Sequence, residues 1–410
     1  MTIAPDQRPS VETVIEDELV RTVFQPIVRL ADGQVVGHEA LARGPRDTPL
    51  ESPAALFSAA QAAGLTAELD KLCMRTAFTG AEQAGLRTLF INAEPSTFSG
   101  PVPRPGHQMQ VVVEVTERDV VLRPADLLDA LERARDDGWA VAVDDVGVDW
   151  RSLAMLPVIA PEIVKLDRSV LAAGPIEESG RVLRACRAHI DRRAGMLVAE
   201  GIEDDDHAQL AIGFGAALGQ GYHFGRPAAE PLSVSASLSF DTPWVRTDRH
   251  VTPFELVKRE SVPTAVTTKR HLLPFSRDIE IDASSHRDPH ILLATFQAAE
   301  LFTAETQARY ARIAEGLAFV AIYGAGIGSE PAAGVVGTSL SDGEPLCEEW
   351  DVVSVGPHQS SALIARDLGD RGPDLDRRFE YVLLSDRGII ERAARSLMLR
   401  ITAARASQRV

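Results

Sequence analysis

AVAVDDVGVDW, residues 140–150, opens as an apolar run and stops at two adjacent carboxylates, Asp144 and Asp145. A third acid, Asp149, follows in a stretch that reads as a loop. The run is short and rich in valine, as in a strand buried on both faces. Successive side chains on a strand face opposite ways. At a strand end the backbone turns, so both acids are expected to reach one pocket.

Outward from this stretch the pattern repeats. Strand-like segments stand at 22–30, 34–43, 88–94, 110–117, 140–145, 163–167, 196–201 and 218–222. Helical patterns, such as 54–85 and 124–138, lie between most of them. Repeated βα units with apolar strands predict a parallel sheet covered by helices. The number of units suits a closed α/β barrel better than an open doubly wound sheet. No Gly-x-Gly-x-x-Gly follows the first strand, which weakens a Rossmann reading.

Residues 1–20 read as a leader with a short amphipathic helix, and 21–230 as the barrel. The Ser-, Thr- and Pro-containing stretch 231–252 reads as a linker. A smaller α+β or α/β domain is expected over 253–405, with helices at 294–317, 359–369 and 389–405 and strands at 319–324, 348–356 and 379–385. GAGIG, 324–328, follows a strand but precedes Pro331, so it reads as a turn and not a phosphate loop. Trp350 and Phe379 read as core residues.

The 410 residues carry a formal net charge of -17. Phosphate-rich duplexes would be repelled, so DNA or RNA duplex binding through a basic face is not expected. A small anionic ligand remains compatible if cations mask the acids. Three scattered cysteines, Cys73, Cys186 and Cys347, form no Cys-x-x-Cys pair and point to a cytoplasmic chain without disulfides. The N-terminus lacks a signal-peptide pattern, and no apolar run approaches a membrane span. Lysine occurs only at Lys71, Lys165, Lys258 and Lys269, which makes Lys165 inside an apolar strand conspicuous.

Polar groups recur near the strand ends: Glu39, Asn92, Glu114, Asp144, Asp145, Lys165, Glu200 and Gln220. In a βα barrel the carboxyl ends of the strands converge on one face, where active sites are built. A single acid there is often a helix N-cap. Several carboxylates in one pocket repel one another, and divalent cations resolve the conflict. Oxygen ligands without Cys or His suit Mg2+ or Mn2+. Two such ions can activate a water and bind a phosphoryl group. Lys165 reads as a snorkelling residue, as a group that orients hydroxide or neutralises phosphate, or, less favourably, as a Schiff-base lysine. Asp204, Asp205 and Asp206 read as first-turn helix acids, and His38, His207 and His223 as structural or solvent-facing.

The segments FQPIVRL, EALAR, FINAEPS, VEVTE, VDDVG, VKLD, VAEGIE and GQGYHFGRP, in this order, closely resemble the EAL domain, named for the letters at Glu39-Ala40-Leu41. The resemblance covers about residues 15 to 230. It implies a TIM-like (β/α)8 barrel with one antiparallel strand, and metal-dependent hydrolysis of cyclic di-GMP to linear pGpG. It further implies that Glu39, Asn92, Glu114 and Asp144 hold one divalent cation, and Asp144 and Asp145 a second. Lys165 would position the attacking water, Glu200 would bind or deprotonate it, and Gln220 would support the water network. Gln25, Leu41 and Arg43 would contact the dinucleotide, Arg43 through a charge-assisted fork. Glu203 matches another acid of the site, and Glu117 the acid that steadies the loop after the Asp pair.

The chain departs from the family where Asp-Asp-Phe-Gly-Thr-Gly is usual: it carries Val146, Val148 and Asp149 in place of Phe, Thr and Gly. In the family this loop couples dimer contacts to the metal site. Segments of 253–405, among them FQAAELFTAETQARYARIA and RRFEYVLLSDR, resemble the DICT domain, a predicted sensory module found beside cyclic di-GMP enzymes. Its signal, a small molecule or a protein, is not legible here. Two readings follow: a regulated phosphodiesterase acting as a homodimer, or a weak or inactive cyclic di-GMP receptor that signals through protein partners. Retained Lys165 and Glu200 favour the first, and the altered loop the second. A protein-interaction role without nucleotide sits poorly with Gln25 and Arg43.

Overall fold

A computed structural model describes residues 9–106, 109–116, 123–236, 238–240, 246–285 and 287–401. A short helix, α1 (Val11–Glu16), leads into β1 (Arg21–Arg29) and β2 (Val35–Arg43). Then follow α2 (Pro53–Ala63), α3 (Thr66–Gln83), β3 (Thr88–Asn92), β4 (Gln110–Thr116), α4 (Pro124–Asp136) and β5 (Ala140–Val146). The series continues with α5 (Leu156–Ile159), β6 (Ile163–Leu166), α6 (Arg168–Ala173), α7 (Glu177–Arg193), β7 (Met196–Ala199), α8 (Asp205–Gly213) and β8 (Leu218–Gln220). The helical pattern over 54–85 is two helices, because Gly64 takes a left-handed φ of 71° and ends α2.

The eight strands close into a barrel. β1 runs antiparallel to both neighbours, β2 and β8, and the other pairs are parallel. This is the TIM-like barrel with one antiparallel strand that the family resemblance implies. Period-two alternation divides the strands cleanly. Phe90, Val112, Ala142, Ile163, Val198 and Leu218 fill the barrel interior. Leu89, Val111, Val113, Val141, Val164 and Leu197 lie in the cluster formed with the surrounding helices. At the amino-terminal end of the barrel, Leu238 packs with the interior residues, so this part of 231–252 docks on the barrel.

The second unit comprises α9 (Pro253–Arg259), β9 (Ala265–Thr268), α10 (Lys269–Ser285), β10 (Ile291–Ala298), α11 (Ala304–Gly316), β11 (Phe319–Ala325), β12 (Val336–Leu340), β13 (Glu349–Val355), β14 (Ser360–Asp367), β15 (Arg378–Leu384) and α12 (Arg387–Met398). Its mixed sheet has the order β12-β11-β10-β13-β14-β15-β9. Two helix expectations fail here. Residues 359–369 form strand β14, and the start of 294–317 belongs to strand β10. The reason is burial on both faces. On β14, Ala362 and Ile364 join the cluster shared with the barrel, while Leu363 and Ala365 join the cluster under α10 and α11. A continuous apolar run carries no periodicity to separate strand from helix.

α12 lies between this sheet and the barrel. Arg395, 3% exposed, donates from Nε to the Val158 carbonyl at 2.7 Å and from Nη2 to the Pro157 carbonyl at 3.0 Å, both on α5. Glu391 pairs with Arg193 of α7 at 2.9 Å and with Arg387 at 2.8 Å. One apolar cluster runs through barrel and second unit alike.

Two acids stand buried at the start of β13. Glu349 accepts from the Phe254 amide at 3.0 Å, and Asp351 from the Ala365 amide at 3.3 Å. Burial pushes Glu349 up to about 7, against hydrogen bonds from Thr252 and Phe254. Burial, with the Glu349 charge beside it, pushes Asp351 well above the usual carboxylate range. In the folded chain these carboxyls keep protons that the unfolded chain has already lost. Their contribution to stability is therefore full at acid pH and declines as pH rises toward the folded values. The unfolding free energy of the wild type minus that of Asp351→Asn should fall by about 2–3 kcal/mol from about pH 5 to about pH 8. Urea melts at several pH values read this difference, and a flat difference would refute the retained protons.

Candidate active site

The alternation that fills the barrel also builds the site. Two residues beyond each inward apolar side chain comes a polar one: Asn92 after Phe90, Glu114 after Val112, Asp144 after Ala142, Lys165 after Ile163, Glu200 after Val198 and Gln220 after Leu218. All six therefore share the inner side of the barrel at its carboxyl-end face. On the antiparallel β1, Gln25 lies opposite Glu39 of β2.

Lys165 is the hub. Its ammonium is fully buried and lies 2.7 Å from Glu114, 2.7 Å from Glu200, 3.1 Å from Asp144 and 3.7 Å from Glu39. Glu39 accepts from Asn92 Nδ2 at 3.1 Å and from Gln220 Nε2 at 2.6 Å. Gln220 Nε2 also donates to Gln25 Oε1 at 3.2 Å, and Gln25 Nε2 reaches the Gly225 carbonyl at 3.4 Å.

The two adjacent acids are turned together by the backbone. The β5–β6 register shifts between Val143 and Val146, and Asp145 takes a left-handed φ of 57°. Among residues other than glycine, Asp and Asn tolerate this conformation best. The Asp145 amide donates to Asp144 Oδ1 at 2.9 Å. Carboxylate oxygens of Asp144, Asp145 and Glu200 then lie within 4.8 Å of one another. Gly147, at φ 112°, follows: a Cβ there would lie 2.5 Å from a Val170 methyl.

The electrostatics follow from burial. For Lys165 burial opposes the charge, but Glu114, Glu200, Glu39 and Asp144 outweigh it and hold the ammonium well above its usual range. Burial raises Glu114 strongly, with the Glu39 charge adding to it. Burial pushes Glu200 up to about 8 against the pull of Lys165. Glu39 is also penalised by burial, yet Lys165 and the Gln220 and Asn92 hydrogen bonds leave it below its usual value. Glu114 is met by the Lys165 ammonium at 2.7 Å. Surplus negative charge and oxygen donors of this kind fit hard divalent cations.

A family model of the EAL domain matches residues 9–227, more than half of the chain. The chain belongs to the EAL domain family. A second family model, the sensory domain in diguanylate cyclases and two-component systems (DICT), matches residues 254–368. The Escherichia coli K12 protein named "Probable cyclic di-GMP phosphodiesterase PdeB" is 30% identical over 52% of this chain and 44% of its own length. The cyclic di-GMP phosphodiesterase NbdA of Pseudomonas aeruginosa PAO1 is 28% identical over 52% of this chain and 29% of its own. The chain thus spans less than half the length of both relatives. Among solved structures, the manganese and cyclic di-GMP complex of Klebsiella pneumoniae BlrP1 is 27% identical, covers 51% of this chain and 56% of its own, and aligns with a TM-score of 0.46.

Within the EAL barrel the remaining expected residues fall in different places. Leu41 lines a cavity of about 340 Å3 together with Asn92 and Glu114. Arg43 is half-buried and donates to the Ala42 carbonyl at 2.8 Å, outside the carboxylate cluster. Glu203 is exposed and makes no contact with Lys165. Glu117 lies outside the described residues. Burial pushes His38 down to about 4, so it is neutral, while His207 and His223 sit beside Asp204 and Asp205. Sequence reasoning missed Asp70. This buried acid of α3 accepts from the Glu94 amide at 2.9 Å and from the Thr97 hydroxyl at 2.7 Å, fixing the loop that follows Asn92. An acid on the apolar face of an amphipathic helix was the available signal.

Removing the hub leaves buried carboxylates without a countercharge. Lys165→Met should lower stability by about 3–5 kcal/mol in chelator-treated protein. Adding Glu114→Gln should recover part of that loss. Urea unfolding of the single and double variants measures both, and an additive double variant would refute the coupling.

Proposed function

We propose that the EAL barrel hydrolyses cyclic di-GMP to linear pGpG. The observation that carries this reading is the convergence of Glu39, Glu114, Asp144 and Glu200 on Lys165, with Asp145 turned into the same cluster. Glu39, Asn92, Glu114 and Asp144 would hold one Mg2+ or Mn2+ ion, and Asp144 and Asp145 a second. Such ions, when bound, acidify a water and offset the charge on the transferring phosphoryl group.

The chain's own residues supply the remainder. Gln25, Leu41 and Arg43 orient the dinucleotide, Arg43 by pairing with a phosphate once released from the Ala42 carbonyl. Lys165 holds the attacking water, and Glu200 takes its proton. The water oxygen bonds to phosphorus as one P–O ester bond breaks, and the departing oxygen is protonated to a hydroxyl. Gln220, bridged to Gln25 and Glu39, keeps the two sides of the site in register. Glu203 and Glu117 retain the supporting roles that the family resemblance implies.

The loop supports a second reading, a receptor that binds the dinucleotide and turns it over poorly. Val146 is buried, Val148 is 56% exposed, and Asp149 caps the following 3-10 turn. The loop thus offers an exposed apolar residue suited to a homodimer contact, but no aromatic or hydroxyl group. Purified protein should convert cyclic di-GMP to pGpG with Mg2+ or Mn2+, and lose at least a hundredfold in rate with chelator or in Glu39→Ala. Chromatography reads the product; nucleotide binding without product would favour the receptor.

Regulation by the DICT unit is part of the proposal. Arg395 of α12 grips the carbonyls of α5, which follows the altered loop in sequence. Among the described residues no helix is long and apolar enough to cross a membrane. Arg395→Met should change the pGpG rate several-fold and leave the Kd for cyclic di-GMP within twofold. An unchanged rate in a folded variant would sink this route of control.

A further inference from the structure

A cavity of about 210 Å3 opens within the second unit. It lies between α10, α11 and the sheet face formed by β10, β13 and β15, and none of its lining residues belongs to the barrel. Its walls carry four aromatic rings, Phe296, Tyr310, Trp350 and Phe379. Phe296 meets Tyr310 edge-on at 5.5 Å, and Trp350 meets Phe379 edge-on at 5.6 Å. Phe296 and Trp350 remain only half-buried, so they present ring surface to the cavity. Phe379 is a core residue, as the sequence predicts, Trp350 packs against the same core, and both also line the cavity. An apolar cavity of about 150 Å3 is enough to hold benzene, so this one accommodates one or two fused rings.

The backbone at the cavity wall is strained. The pairing of β10 with β11 skips from Thr295 to Ala298, and Gln297 takes a left-handed φ of 55°. Bulges of this kind re-aim side chains, and strain persists where the surroundings hold it. Here Arg377 donates to the Gln297 amide oxygen at 3.1 Å, and the Gln297 amide reaches Asp367 at 3.4 Å.

The polar lining selects the ligand's charge. Glu280 is buried, but Tyr310 and Arg309 each donate to it at 2.8 Å, so it needs no further cation. Lys269 is taken by Asp374 at 2.6 Å. Arg277 stands exposed on the α10 side and makes no ion pair or side-chain hydrogen bond among the described residues. Glu305 is the exposed acid on the α11 side. The lining holds three basic groups, Lys269, Arg277 and Arg309, against two acids, Glu280 and Glu305.

We propose that this cavity binds a small planar aromatic acid, its ring among Phe296, Tyr310, Trp350 and Phe379 and its anionic group on Arg277. The claim is about binding and stands whether or not the barrel is an active phosphodiesterase. The test is isothermal titration of the full chain with three probes: indole-3-acetate, tryptamine with the same ring and the opposite charge, and acetate without a ring. Indole-3-acetate should bind at least tenfold more tightly than either of the others. Arg277→Gln should weaken it by about tenfold or more, as expected for loss of a charge-assisted hydrogen bond. Thr306→Trp, which fills the cavity from α11, should abolish binding while the thermal midpoint stays close to that of the wild type. No heat with indole-3-acetate, tryptamine binding as tightly, or an Arg277→Gln variant of unchanged affinity would each overturn the proposal.

Discussion

One buried ammonium organises the barrel face. Lys165 sits among Glu39, Glu114, Asp144 and Glu200 with no contact to solvent. Burying any one of these carboxylates alone is costly, because a charge in a medium of low polarisability loses its hydration. Around Lys165 the acids share one countercharge, yet negative charge remains in excess. An excess of this kind fits hard divalent cations. The Gln220 and Asn92 hydrogen bonds, with Gln25 bracing Gln220, then hold Glu39 at the edge of the cluster.

The same face depends on a defect in the ladder. A regular strand would send Asp144 and Asp145 to opposite sides. The β5–β6 register shift and the left-handed Asp145 turn them toward Glu200 instead. The loop that follows is pinned by Gly147 and leads through the 3-10 turn Trp150–Met155 to α5, where Arg395 of the second unit takes two carbonyls. Ligand geometry and domain packing thus meet along one short length of chain.

The second unit is built for contact on both faces of its sheet. One face shares its apolar cluster with the barrel through α12, and the other packs under α10 and α11. On the second face the aromatic residues stop short of filling the space, which leaves the cavity beside the bulged β10. The sheet meets the barrel through the shared apolar cluster and through polar contacts such as those of Arg395 and Glu391.

Much of the barrel was legible in the sequence because alternation is a local property. An inward apolar residue followed two positions later by a polar one places Asn92, Glu114, Asp144, Lys165, Glu200 and Gln220 on one side whatever the rest of the chain does. The ordered motifs then identify the EAL family. β14 and the start of β10 were misread because a sheet buried on both faces has no alternation to read. Asp70 was overlooked because its partners, Glu94 and Thr97, meet it only in the folded chain. Side-chain identity and spacing, which are covalent, determined the barrel and its acids. The hub role of Lys165, the turn at Asp145, the grip of Arg395 and the aromatic cavity were decided by tertiary structure, because each depends on burial and on groups far apart in sequence.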